Sequence, residues 1–107
     1  MRKVLILVTM ALLTAGVLAA GKTSEWYSTS GNVVHIINSD SMQFTIKVYP
    51  QQGPTMVCRA EWIDQNTFTY NMNDGGSAFM GTFTDGGWAI RVTGRGRTNT
   101  WRFNRWL

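Results

Sequence analysis

Few side chains in this sequence are equipped for chemistry. There is one histidine, His35, one cysteine, Cys58, and only two glutamates, Glu25 and Glu61. A zinc site takes three or four such ligands, so His35 and Cys58 do not make one. Covalent catalysis needs a nucleophile, a base and a group that orients the base. In "TMVCRAEW", Cys58 shares an apolar strand face with Met56 and Ala60, where burial keeps a thiol protonated and inert. No motif links it to His35, which sits with Val33 and Ile37 as a half-exposed strand residue. Nothing in the spacing of Glu25 and Glu61 brings them together as a glycosidase pair. "GRGR" has no helix after it to offer an N-terminus to phosphate. Asp40, Asp64 and Asp85 could offer oxygens to calcium, but aspartate is also ordinary turn chemistry. The expectation is no enzyme, no metal and no cofactor.

What remains is binding. The last sixteen residues, "VTGRGRTNTWRFNRWL", hold four arginines, two tryptophans and no acid. Arg95, Arg97 and Arg102 are the candidate anion contacts, with Trp106 and Tyr49 as outward aromatics for stacking. Cations interleaved with aromatics also serve single-stranded nucleic acid. The address of the chain argues against that partner. It opens "MRKVLILVTMALLTAGVLAAG", two cations and then an uncharged run from Val4 to Ala20 ending in small residues. This is the layout of a secretory signal cleaved after Ala19 or Ala20, with no cysteine there for lipid attachment. The expectation is a secreted or periplasmic protein with no transmembrane segment after cleavage, meeting a protein or an anionic cell-envelope component and no nucleic acid. Residues 1–20 are then the signal, and 21–107 a single small domain. That domain carries eight Lys and Arg against six acids, a net +2, too near neutrality for a general polyanion binder. A lone cysteine staples nothing, so stability must come from the core.

The elements that position these residues are strands. After residue 21 the dominant hydrophobic period is two. "MQFTIKVY" puts Met42, Phe44, Ile46 and Val48 on one face. "TFTYNM" groups Phe68, Tyr70 and Met72, and "GWAIRVT" groups Trp88, Ile90 and Val92. Strands are also expected over Glu25–Thr29, Asn32–Asn38, Met56–Trp62 and Ser77–Phe83. In the last strand, Trp101, Phe103 and Leu107 share one side, opposite Arg102, Asn104 and Trp106. Between the runs lie "TSGN", "NSDS", "PQQGP", "DQN", "NDGG", "TDGG" and "GRGR", all turn-formers. Connections this short hold no crossover helix, so successive strands are antiparallel neighbours. The fold predicted is all-β: an antiparallel up-and-down meander of about eight short strands closing into a small barrel, the last strand meeting the first near Trp26.

The stretch "EWYSTSGNVVHI" places Trp26-Tyr27 before Gly31 at the first hairpin and then an apolar strand. In this the chain resembles the calycin group, the lipocalin-like and avidin-like meander barrels, although Ser24 stands where lipocalins carry a glycine. The resemblance implies an eight-stranded up-and-down barrel that binds something apolar. An eight-stranded barrel is only wide enough for side chains or one small ligand. Phe44, Trp62, Phe68, Tyr70, Phe79, Phe83, Trp88, Trp101 and Phe103 are candidates to fill it, with Ala60 and Gly81 leaving local room. The preferred expectation is a filled barrel acting through its surface and hairpins; the alternative is a carrier of a small apolar ligand.

Overall fold

A computed structural model describes residues 23–71 and 78–107. Eight strands run in order: β1 (Thr23–Ser28), β2 (Val33–Ile37), β3 (Gln43–Tyr49), β4 (Met56–Trp62), β5 (Thr67–Asn71), β6 (Ala78–Thr84), β7 (Ala89–Gly94) and β8 (Arg97–Trp106). Each pairs antiparallel with its neighbours in sequence, and β8 returns to pair with β1, so the sheet is a closed up-and-down barrel. Closure leaves no free sheet edge. The expected signal over residues 1–20, and the turn expected at "NDGG", lie outside the described residues.

Turn chemistry sets the register. Between β7 and β8 the loop is only Arg95-Gly96, with φ of 53° and 72°. Two consecutive positive φ values make the type I′ turn whose twist matches a tight hairpin. Asp64 Oδ1 accepts the Asn66 N–H at 2.8 Å, closing the β4–β5 turn. A 3-10 turn over Asp85–Gly87 joins β6 to β7.

Alternation then assigns faces. Inside are Trp26, Val34, Ile36, Phe44, Ile46, Cys58, Ala60, Phe68, Tyr70, Ile90, Val92 and Trp101, all buried, with Trp62, Phe79, Phe83 and Phe103 packed against them. Phe68 is the hub, its ring 5.5 Å from Phe44, 5.6 Å from Trp62 and 6.1 Å from Phe83. The Trp26 indole N–H, also wholly buried, donates to Ser24 Oγ at 2.8 Å. The outer face carries Lys47, Arg59, Glu61 and Arg91, with Tyr27, Val57 and Met80 also exposed there.

Three sequence expectations need correction. Trp88 is not inside: β7 begins at Ala89, and Trp88 projects from the preceding turn, 57% exposed. Met42 likewise precedes β3 and is exposed. Trp106 does not face outward with Arg102. A β-bulge between Glu25 and Trp26 in the β1–β8 ladder leaves Asn104 as the extra residue, pairing Phe103 with Trp26 but Arg105 with Glu25 and Trp106 with Ser24. Past the bulge every side chain changes face, so Trp106 joins the inner register, 5.4 Å from Phe103. Gly81 does leave room, but the Phe68 ring opposite occupies it.

Candidate functional site

The two ends of the barrel differ. One carries the β1–β2, β3–β4, β5–β6 and β7–β8 hairpins; the other carries the three remaining hairpins, the start of β1 and the end of β8. At the first end the interior opens as a cup of about 510 Å³. All eight strands contribute to its lining because each ends there with an inward position. On β2, β3 and β4 these are Val34, Val48 and Met56, and on β5 and β6 the aromatic pair Tyr70 and Phe79. The two rings stack at 5.2 Å and 13°. Trp101 lies 5.8 Å from Tyr70 and completes an aromatic floor over Phe68. Gly94 on β7 has no side chain to fill the space, and a methyl there would strike the Phe79 ring.

The opposite wall is polar. Ser28 and Ser30 share a hydroxyl hydrogen bond of 2.6 Å, and the Ser30 N–H donates to Ser28 Oγ at 3.1 Å. Asn32 lies beside them, and Asn99 and Arg97 line the β8 side in the inner register. The Arg95 guanidinium covers Phe79 at 5.5 Å from the ring centre. Burial pushes the Tyr70 phenol well above its ordinary range, with Cys58 nearby adding to the shift, so the phenol stays neutral. The cup thus combines an apolar floor, a hydroxyl and amide wall, and two cations at the lip.

A second cluster sits on the outer wall at the barrel seam. Glu25 Oε1 accepts hydrogen bonds from Arg105 Nε at 2.7 Å and Asn104 Nδ2 at 2.9 Å, and Glu25 Oε2 lies 3.1 Å from His35 Nε2. The Arg105 hydrogen bond first, then those of His35 and Asn104, hold the carboxyl down at about 2 against an ordinary 4.5. Glu25 likewise holds the Arg105 proton more tightly. Three hydrogen bonds to the ionised form make this carboxylate a weak base. The cluster is a clasp across β2, β1 and β8.

The predicted site residues fall in three places. Arg95 and Arg97 stand at the cup lip. Arg102 lies on the outer wall, 3.7 Å from Asp85 in an exposed ion pair, and Trp106 lies at the far end. Tyr49 stands on the outer face of β3, its ring 4.7 Å from His35. Of the aspartates at the far end, Asp64 closes a turn and Asp85 pairs with Arg102. Among the described residues no three His, Cys, Asp or Glu side chains are grouped to hold a metal. Sequence reasoning missed Ser28, Asn99 and Met56 as lining residues and Glu25 as a clasp. The available signal was the run of small or polar residues, Ser28, Gly94 and Asn99, at inward positions of one end. Compared with known proteins, the chain matches no family model, no curated protein and no solved structure.

Proposed function

We propose that the chain is an exported, non-catalytic binding protein that takes one small, partly apolar molecule into the cup. The observation that carries this reading is the contrast along one interior. The middle and far end are plugged by aromatic rings, while the hairpin end opens into about 510 Å³ with an aromatic floor and converging polar groups. Ligand sites are commonly concave, several hundred Å³ in size and mostly apolar, with a few placed polar groups. The ligand's flat or branched apolar part would lie on Trp101, Tyr70 and Phe79, and an acidic group would face Arg95 and Arg97. This use of the barrel mouth fits the calycin-like resemblance of the Trp26-Tyr27 and Gly31 stretch. A surface module using the basic C-terminal stretch is the weaker reading, because Arg95 and Arg97, Arg102 and Trp106, and Tyr49 do not form one patch.

The test is a titration with small aromatic and branched aliphatic carboxylic acids, read by quenching of tryptophan emission, to which Trp101 in the floor contributes. The Val48→Phe variant puts a bulky ring into the cup and should weaken quenching, with circular dichroism showing the fold retained. Arg97→Gln should weaken the acids a few-fold and the matching alcohols little, the modest effect of an exposed charge. If no acid or alcohol binds, or if Val48→Phe binds as well as the parent, the reading fails.

A further inference from the structure

The end of the barrel away from the cup is greasy where it meets solvent. Met42 in the β2–β3 turn, Ile63 in the β4–β5 turn, Trp88 before β7, and Trp106 and Leu107 at the end of β8 are all exposed, by 36 to 68%. They are joined underneath. The Trp62 N–H donates to the Met42 carbonyl at 3.0 Å, bringing the first two turns together. Trp88 and Trp106 both pack on Phe103, at 5.2 and 5.4 Å. The Leu107 N–H donates to the Thr23 carbonyl at 2.7 Å, tying the tail to the start of β1. Five apolar side chains, two of them tryptophans, thus rim one end of the barrel, while Tyr27, Val57 and Met80 stand apart on three strands of its wall.

We propose that this rim docks on a lipid bilayer surface of zwitterionic headgroups. Two features select that occupant. First, the uncharged run Val4–Ala20 joins the barrel at this end, since β1 starts at Thr23. Three residues reach roughly 10 Å at most. A bilayer that held that run before cleavage would lie within this reach of the start of β1, and the rim residues are of the kind that settle at a membrane interface. Tryptophan favours the headgroup level, where its ring is partly buried and its N–H stays wet. Second, Asp40 and Asp64 lie in the turns of this end, and among the described residues its cations Arg102 and Arg105 are paired with Asp85 and Glu25. With Lys22 next to the start of β1, this end has no excess of cations to seek an anionic surface, which leaves apolar burial as the driving force. The barrel would stand on the membrane after processing, held by its rim as a peripheral protein.

The experiment uses residues 21–107, which contain every strand of the closed barrel and its whole core. Flotation with phosphatidylcholine vesicles should carry the protein upward, and brominated lipid should quench its tryptophan emission. Replacing Met42, Ile63, Trp88 and Leu107 by serine removes four side chains at least half exposed. Near-ultraviolet circular dichroism should show the fold retained, and partitioning should weaken by roughly a hundredfold or more. Binding should change little between low and high salt, and adding anionic lipid should not strengthen it. No flotation of the parent overturns the proposal, as does equal flotation of the folded quadruple variant or binding that high salt abolishes. A concentration-dependent dimer that the same four substitutions dissolve would also overturn it, assigning the rim to a second copy of the chain.

Discussion

Replacing Gly81 by alanine tests the packing at the centre of the barrel, because two effects of opposite sign compete there. Glycine inside a strand is ordinarily a weakness, and alanine should gain about 0.5–1 kcal/mol from reduced backbone freedom. Here Gly81 pairs directly with Phe68 across β5 and β6, and the ring lies flat where the side chain would stand. A methyl would come to 2.8 Å from both Phe68 Cε atoms and overlap the ring tip. Carbon atoms at ordinary contact stand about 3.5–4.0 Å apart, so the ring has to retreat by about 1 Å or the strands have to part. It has nowhere to go, with Phe44, Trp62, Phe83 and Trp101 all packed around it. Overpacking of this kind costs about 1–3 kcal/mol, and the tight surround puts Gly81→Ala near 2 kcal/mol net destabilisation. For a domain of this size that lowers the melting temperature by roughly 8–16 °C. Urea unfolding of Gly81→Ala, Phe68→Leu and the double variant separates the causes. With the ring gone, the alanine should cost nothing or stabilise slightly, a coupling of about 2 kcal/mol between the two sites. A rise in stability of Gly81→Ala alone would refute the packing argument, as would an equal penalty in both backgrounds.

The seam clasp makes a pH prediction. The Glu25 carboxyl is held at about 2 in the fold against 4.5 when unfolded, so its contribution is fully present above pH 4.5 and fades as pH falls toward 2. Glu25→Gln should therefore lower the melting temperature at neutral pH yet flatten its decline across that acid window; parallel pH profiles for the two proteins would show that the clasp contributes nothing. The buried Trp26–Ser24 hydrogen bond makes another. Ser24→Ala strands the indole N–H inside the barrel and should cost roughly 1–3 kcal/mol by urea titration, while Ser24→Thr should retain most of the bond; equal losses would point to packing rather than hydrogen bonding.

The period-two pattern was sufficient to read the meander, because a half-buried strand must alternate and short Gly- and Asn-rich turns permit only antiparallel neighbours. It failed where residues sit just outside a strand or just past an irregularity. Met42 and Trp88 continue their strand's alternation in the sequence, but the ladder has ended before them and the interior no longer covers them. Trp106 was misplaced because one bulge residue, Asn104, inverts everything that follows, and no composition signal marks an asparagine as the extra residue. Trp26 was hidden by polar company: its strand's inward face reads Ser24, Trp26, Ser28, which does not look like a core. The Glu25 clasp was illegible for another reason. His35 and Arg105 meet Glu25 only through registers set by a hairpin on one side and by barrel closure on the other.

The ends of the barrel divide its properties. In an up-and-down meander of even strand number both termini emerge at one end, so the hairpins of the other end are free of them. Bulk is distributed to match: Trp26, Trp62, Phe83 and Phe103 crowd the terminal half, whereas Ser28, Val34, Val48, Gly94 and Asn99 take the inward positions at the hairpin end. Plugging the terminal half with Trp26, Trp62, Phe83 and Phe103 supports the rim from beneath through Phe103. Leaving the hairpin half lean costs core, a cost the aromatic floor partly offsets by stacking. Docking through the rim would point the cup's mouth away from the bilayer along the barrel axis. Membrane attachment and ligand entry therefore do not compete for the same surface, and rim variants should leave carboxylic-acid binding unchanged. A rim variant that folds normally but loses the cup's ligand would show that the two ends are coupled through the aromatic column between them.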